Sequence, residues 1–209
     1  MTTLAIDCST QACSVALFEG ADLRAYDHRI LGRGHAEQLV PMIAALPGKG
    51  EADRILVALG PGSFTGIRIG IATARALGLA WKAKVEGYPT LALVAAMARA
   101  ENGPIDIDVA MHGGHGEWFV QGFDAEGKAL GEVRSLAPAE AAGTAKSEIV
   151  AGTQADALVE QRNWGTAMST HPDARFALHL PAHALSPEIR PIYGRAPDAK
   201  PTADTSVTP

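Results

Sequence analysis

The stretch Leu59-Gly-Pro-Gly-Ser-Phe-Thr-Gly-Ile-Arg-Ile-Gly70 carries four glycines in twelve residues, and a glycine loop ahead of a helix is a common way to cradle phosphate. Both phosphate patterns fail here. A P-loop needs a Lys directly after its last glycine to reach the β and γ phosphates, but Gly66 is followed by Ile67 and Arg68. The dinucleotide pattern set by Gly60 and Gly62 needs a third glycine at 65, which is Thr65. The simpler reading makes Pro61 and Gly62 a turn and Ser63 the cap of a helix, whose free N–H groups can still attract an anion.

The other chemically suggestive groups are scattered. His179 and His183 have the spacing of two ligands on one helix face, but Pro181 lies between them. His112 and His115 sit three apart in a glycine-rich turn with Glu117 nearby, which reads as a solvated turn. Cys8 and Cys13 flank a hairpin turn and are expected to stay reduced. Ser9, Cys8 and Cys13 are possible nucleophiles, yet the spacing assembles no base and orienting group around any of them.

The element that follows Ser63 is the most informative. At 100° per residue Gly66, Gly70, Ala74 and Gly78 form a small-residue stripe, flanked by Ile67, Ile71, Leu77 and Trp81. The opposite arc carries Ile69, Ala72, Thr73, Ala76, Leu79 and Ala80 and is also apolar. Between the arcs Arg68, Arg75 and Lys82 recur every seven residues, and no acid occurs from Arg54 to Val85. A helix apolar on both sides needs cover on both sides. A sheet takes one face, and the other needs either a helix at His35–Leu46, bent at Pro41, or helices of another chain. The three glycines each cost about 1 kcal/mol of helix stability relative to Ala, so the smooth stripe is expected to be where a helix comes close.

The surrounding pattern is α/β. Strands are expected at Leu4–Asp7, Ala12–Phe18, Leu23–Ile30, Arg54–Leu59 and Val85–Gly87, with helices at His35–Leu46, Ser63–Lys82 and Thr90–Arg99. Asn102-Gly-Pro104 marks a boundary, dividing the chain into lobes at 1–102 and 103–196 and a disordered tail at 197–209. A shift of 105 residues pairs Ala5 with Ala110, Ile6 with Met111, Val15 with Val120, Phe18 with Phe123 and Glu19 with Asp124, so the opening hairpin is repeated. In that alignment His112 takes the place of Asp7.

At 209 residues, 47% hydrophobic but only 5% aromatic, the composition suits a close-packed α/β protein. No apolar run is long enough to span a membrane and no signal segment opens the chain, so a cytoplasmic protein is expected. The net charge of −5 argues against a general nucleic-acid binder. It is unevenly spread: residues 1–100 carry 10 basic and 8 acidic groups (+2), residues 101–209 carry 8 and 15 (−7).

Ile6-Asp-Cys-Ser-Thr10, Gly34-His-Ala-Glu-Gln-Leu-Val-Pro-Met-Ile43 and above all the run from Gly60 to Ala80 resemble the TsaB family, also called YeaZ, of the bacterial tRNA threonylcarbamoyladenosine machinery. The resemblance is strong over roughly the first 95 residues and looser beyond. It implies an actin-like, RNase H-like (ASKHA) fold of two related lobes. It further implies a scaffold without catalytic residues, metal or cofactor, which pairs with a TsaD-like catalytic paralogue, is joined by a TsaE-like ATPase and meets tRNA only through the complex. Family pairing uses the first-lobe helices. The interface expected here is therefore His35, Leu39, Met42 and Ile43 with Gly66, Ile67, Gly70, Ile71, Ala74, Arg75 and Gly78, and the same face can serve a homodimer when the chain is alone.

The rival readings are enzymes. ASKHA phosphotransferases carry an Asp-x-Gly-Thr hairpin in each lobe, which makes Asp7, Ser9 and Thr10 a vestigial phosphate site at most: Ser9 stands at the glycine position, and His112 is a poor partner for a hard cation. A metal-dependent peptidase of the wider superfamily uses two histidines four apart on the first helix, where this chain has His35 and Leu39. Leu59 and His112-Gly113-Gly114 depart from the family's usual arginine and Asp-Ala-Arg at those places.

Overall fold

The computed structural model describes residues 1–195; the tail expected at 197–209 lies outside the described residues. The chain opens with an antiparallel meander, β1 (Thr2–Asp7), β2 (Ala12–Glu19) and β3 (Asp22–Ile30). Then come α1 (His35–Ala44), β4 (Arg54–Ala58), α2 (Phe64–Trp81) and β5 (Lys84–Tyr88). The sheet order is β3-β2-β1-β4-β5, with β4 parallel to β1 and β5 parallel to β4. After α3 (Thr90–Asn102) the second half repeats the plan: β6 (Ile107–Gly114), β7 (Glu117–Phe123), β8 (Arg134–Leu136), α4 (Pro138–Thr144), β9 (Ile149–Ala151), α5 (Ala155–Arg162) and β10 (Thr166–Met168). Its order, β8-β7-β6-β9-β10, and its strand directions match those of the first sheet. Two related α/β lobes are the result, as the ASKHA resemblance implies.

Three apolar clusters hold these layers. On the outer face of the first sheet Leu4, Ile6, Val15 and Leu17 pack under α1 and α2. On its inner face Ala5, Ala16, Phe18 and Leu56 meet α3 and, beyond it, Ile107, Val109 and Phe119 of the second sheet. α4 and α5 cover the far face of that sheet over Ala110, Val120 and Val150. Strands buried on both faces read as continuous apolar runs rather than alternating ones, which is the pattern of β1 and β2. α3 lies between the lobes, so Thr90 to Ala98 are buried all round.

The register corrects one step of the repeat. Ile6 pairs with Val15 under α2, whereas Ala110, on the equivalent outer face, pairs with Val120. The offset is therefore 105 residues for β2 and β7, but 104 for β1 and β6. An irregularity between His112 and Gly114 takes up the extra residue. A one-residue slip moves every side chain to the opposite face, and with it removed the counterpart of Asp7 is Met111 rather than His112. Met111 is buried in the interlobe core, and His112 is exposed at the tip of its strand.

Candidate functional site

α2 begins as its residues dictate. Ser63 Oγ accepts the Gly66 N–H at 3.2 Å, capping the first turn, and Ser63 N donates to the Ser9 carbonyl at 2.7 Å, tying the helix to the β1–β2 turn. The glycines answer to that contact: a Cβ on Gly62 would land on the Ser9 carbonyl oxygen, and one on Gly66 on the Cys8 carbonyl oxygen. The glycine run is a close-approach device for two backbones.

The same geometry corrects the expected interface. Gly66, Ile67, Gly70, Ile71, Ala74 and Gly78 are the buried residues of α2 and face the chain's own sheet. A Cβ on Gly70 would stand 3.6 Å from Val57 and 3.7 Å from Cys8, and one on Gly78 would overlap Val85. His35, Leu39, Met42 and Ile43 are likewise the inward side of α1, with His35 Nε2 3.2 Å from the Ala12 carbonyl oxygen. None of these ten is on a surface, because the small-residue stripe is what lets α2 sit close to β1, β4 and β5. Arg75 is exposed, but its guanidinium donates to the Ile189 carbonyl of the chain's own C-terminal segment.

What α1 and α2 offer to solvent is the opposite arc. Leu79 is 85% exposed, Phe64 55% and Val40 54%. Ala36, Pro41 and Ala44 on α1 and Thr65, Ala72, Ala76 and Ala80 on α2 are exposed with them, and the two helices touch. Glu37 on α1 and Arg68 and Arg75 on α2 are exposed beside them, so the face combines apolar side chains with a few charges. The arc from Ile69 to Ala80 was visible in the helical periodicity; its outward orientation was not. At the N-terminal end of α2 the Arg68 guanidinium stacks 3.6 Å over the Phe64 ring and donates to Tyr193 Oη at 3.1 Å, and Tyr193 stacks on Phe64.

Arg68 and Arg75 thus hold a strap. Residues 186–195 return from the second lobe to the first: Ser186 pairs with Gly87, and Ile192 N donates to the Leu59 carbonyl at 2.7 Å. Arg195 then donates to the Gly113 and Gly114 carbonyls at 3.0 and 3.1 Å and pairs with Glu117 at 3.2 Å.

Between the lobes lies a cleft of about 460 Å³, walled by the β1–β2 turn, the start of α2, the β6–β7 turn, Thr153, Gln154 and His171. Ser9 and Thr10 line it, and Asp7 does not. The Asp7 carboxylate is 1% exposed and accepts the Ser9 N–H at 2.9 Å and the Ser9 hydroxyl at 2.6 Å. Burial pushes its pKa up to about 6, against the pull of those hydrogen bonds and of Tyr88 Oη. Thr10 Oγ1 accepts the Ala12 N–H at 3.1 Å. The structure brings the three expected residues together and commits their side chains to the turn. No cluster of three His, Cys, Asp or Glu side chains able to hold a metal ion occurs among the described residues. No helix among them is long and apolar enough to cross a membrane.

Two sheets of matching order, helices on their outer faces and a cleft between them define an ASKHA-type protein of two related lobes. The family model for TsaD, tRNA N6-adenosine threonylcarbamoyltransferase, matches residues 29–178. The chain is 33% identical over 180 residues to the tRNA threonylcarbamoyladenosine biosynthesis protein TsaB of Escherichia coli, covering 83% of this chain and 74% of that protein. It is 36% identical over 105 residues to TsaB of Haemophilus influenzae, covering 48% and 43%. The solved structure of YeaZ from Pseudomonas aeruginosa superposes with a TM-score of 0.77 at 26% identity, covering 92% of this chain and 99% of that one. The chain belongs to the TsaD-related family, within its TsaB (YeaZ) group.

Proposed function

We propose that this chain is a non-catalytic subunit of the machinery that makes threonylcarbamoyladenosine in tRNA. It pairs with a TsaD-like catalytic paralogue through the outward face of α1 and α2, with a TsaE-like ATPase joining the pair and tRNA met only in the assembly. Alone, the chain uses the same face for a homodimer. One observation carries the reading: two adjacent helices present an apolar surface with Leu79 85% exposed and Val40 and Phe64 more than half exposed. Large apolar side chains left exposed on two touching helices support a site of association. The partner transfers threonylcarbamoyl to N6 of adenosine 37 in tRNAs that decode ANN codons, and this chain supports that step without taking part in it.

The absence of a catalytic role is supported by the cleft. Phosphotransfer in this fold needs a carboxylate from each lobe, and here Asp7 is locked in its turn while Met111 occupies the matching position. Reconstituting tRNA modification with purified TsaD-like and TsaE-like partners, with and without this chain, tests the proposal. Modification should depend on the chain, and the isolated chain should turn over no Mg-ATP. Turnover by the chain alone at about 1 per second, an ordinary enzyme rate, would establish the kinase reading instead.

A further inference from the structure

Cys8 and Cys13 continue the β1–β2 ladder beyond the Asp7–Ser14 pair and so stand directly opposite each other at the end of the hairpin. Both are free and buried, with their Sγ atoms 3.5 Å apart. Nothing in the docking reading uses them. Their surroundings couple them to α2: Gly66 sits on the Cys8 carbonyl, the Gly70 position faces Cys8 Cβ, and Ser63 N binds the carbonyl of the neighbouring Ser9. The turn between the two thiols, Ser9 to Gln11, lines the interlobe cleft, which gives a small oxidant a route by local opening of the hairpin tip.

We propose that Cys8 and Cys13 form a reversible dithiol–disulfide couple, closed by a hydroperoxide and reopened by a small thiol, whose state is felt at the first turn of α2. The contact between the two sulfurs lowers the Cys13 pKa and raises that of Cys8, which makes Cys13 the attacking thiolate of the proposed couple. Its sulfur attacks a peroxide oxygen: an S–O bond forms, the O–O bond breaks, and the leaving hydroxide or alkoxide takes a proton to become water or an alcohol, respectively. Cys8 then gives up its proton and attacks the sulfenic sulfur. The S–S bond forms, the S–O bond breaks, and hydroxide leaves as a second water. Two electrons pass from the thiols to the peroxide, and two from an external thiol reverse the change. Closure needs the sulfurs to come from 3.5 Å to about 2.05 Å, and α2 has no slack at Gly66 to ignore that movement.

The test treats the folded full-length chain with hydrogen peroxide and then with dithiothreitol. The couple requires loss of both titratable thiols, a mass lower by two hydrogens, a cross-linked Cys8–Cys13 peptide, full reversal, and none of these in Cys8→Ser or Cys13→Ser. Amide hydrogen exchange at Phe64–Ile67 should change by about tenfold on oxidation. Thiols that survive the peroxide, sulfinic acids without a cross-link, or a cross-link formed only in denaturant would overturn the couple; unchanged exchange would overturn its link to α2. Any effect on pairing rests on the docking reading, so a TsaD-like partner is titrated against both forms. A chain that closes and reopens its disulfide but binds that partner in neither state refutes the docking reading while supporting the couple.

Discussion

Two glycines of one helical stripe, four residues apart, should answer the same substitution in opposite ways. At Gly66 a methyl group meets the Cys8 carbonyl oxygen, a backbone atom that cannot rotate aside. At Gly70 it meets only Val57, Cys8 and Ile6 side-chain carbons at 3.6 to 4.0 Å, ordinary van der Waals contact. Replacing a helical glycine by alanine gains up to about 1 kcal/mol of propensity, and overpacking against a fixed neighbour costs about 1–3 kcal/mol. Gly70→Ala should therefore be neutral or stabilising by up to about 1 kcal/mol, and Gly66→Ala should be destabilising, by about 2 kcal/mol where the overpacking cost of about 3 kcal/mol is offset by the full propensity gain of about 1 kcal/mol. For a chain of this size each kcal/mol moves the melting temperature by about 2–4 °C. Thermal and urea unfolding of both variants beside the parent checks the signs. Equal stability of Gly66→Ala and the parent, with partner affinity lost, would mean that the stripe faces outward after all and that the helix orientation argued above is wrong.

Other substitutions probe separate parts of the structure. Ser63→Ala removes the α2 cap and should cost about 1 kcal/mol in denaturant unfolding. Gly70→Leu aims further carbons at β1 and β4 and should cost about 1–3 kcal/mol, with the affinity of the folded fraction for its partner unchanged. Asp7 has a folded pKa of about 6 against 3.8 unfolded, so the native state holds the extra proton and stability should fall as pH rises between about 4 and 6, by about 3 kcal/mol in all. Asp7→Asn should flatten that segment of the stability curve; an unchanged slope would locate the titration elsewhere.

The residues declared most of the first lobe and little of the second. β1 to α3 are long enough to show their periods, and Ser63 and the Gly–Pro punctuation mark where α2 starts. β8, β9 and β10 have three residues each, too few to display alternation. α2 shows what periodicity leaves undecided. It tells which residues share an arc, and here both arcs are apolar, so the small stripe and the Leu79 arc were equal candidates for the outside. The backbone of the β1–β2 turn decided it, because only glycine at 62 and 66 lets the helix start that close. The Arg68 and Arg75 stripe was visible, but its use on Tyr193 and Ile189 depends on a chain reversal more than a hundred residues away. The Asp7 counterpart was misplaced by a single residue, since an ungapped comparison cannot see the irregularity at His112.

The outward face of α1 and α2 is the centre of this account, and Leu79 is its most exposed large side chain. Burying a leucine is worth about 1.5–3 kcal/mol, and an unpaired carboxylate in its place adds a penalty, so Leu79→Asp should weaken binding by at least about tenfold. The decisive measurement is the dissociation constant of a TsaD-like partner for the parent chain and for Leu79→Asp, with both shown to melt at the same temperature. The account predicts tight binding by the parent and at least tenfold weaker binding by the variant. Equal affinities in two equally stable chains would contradict it.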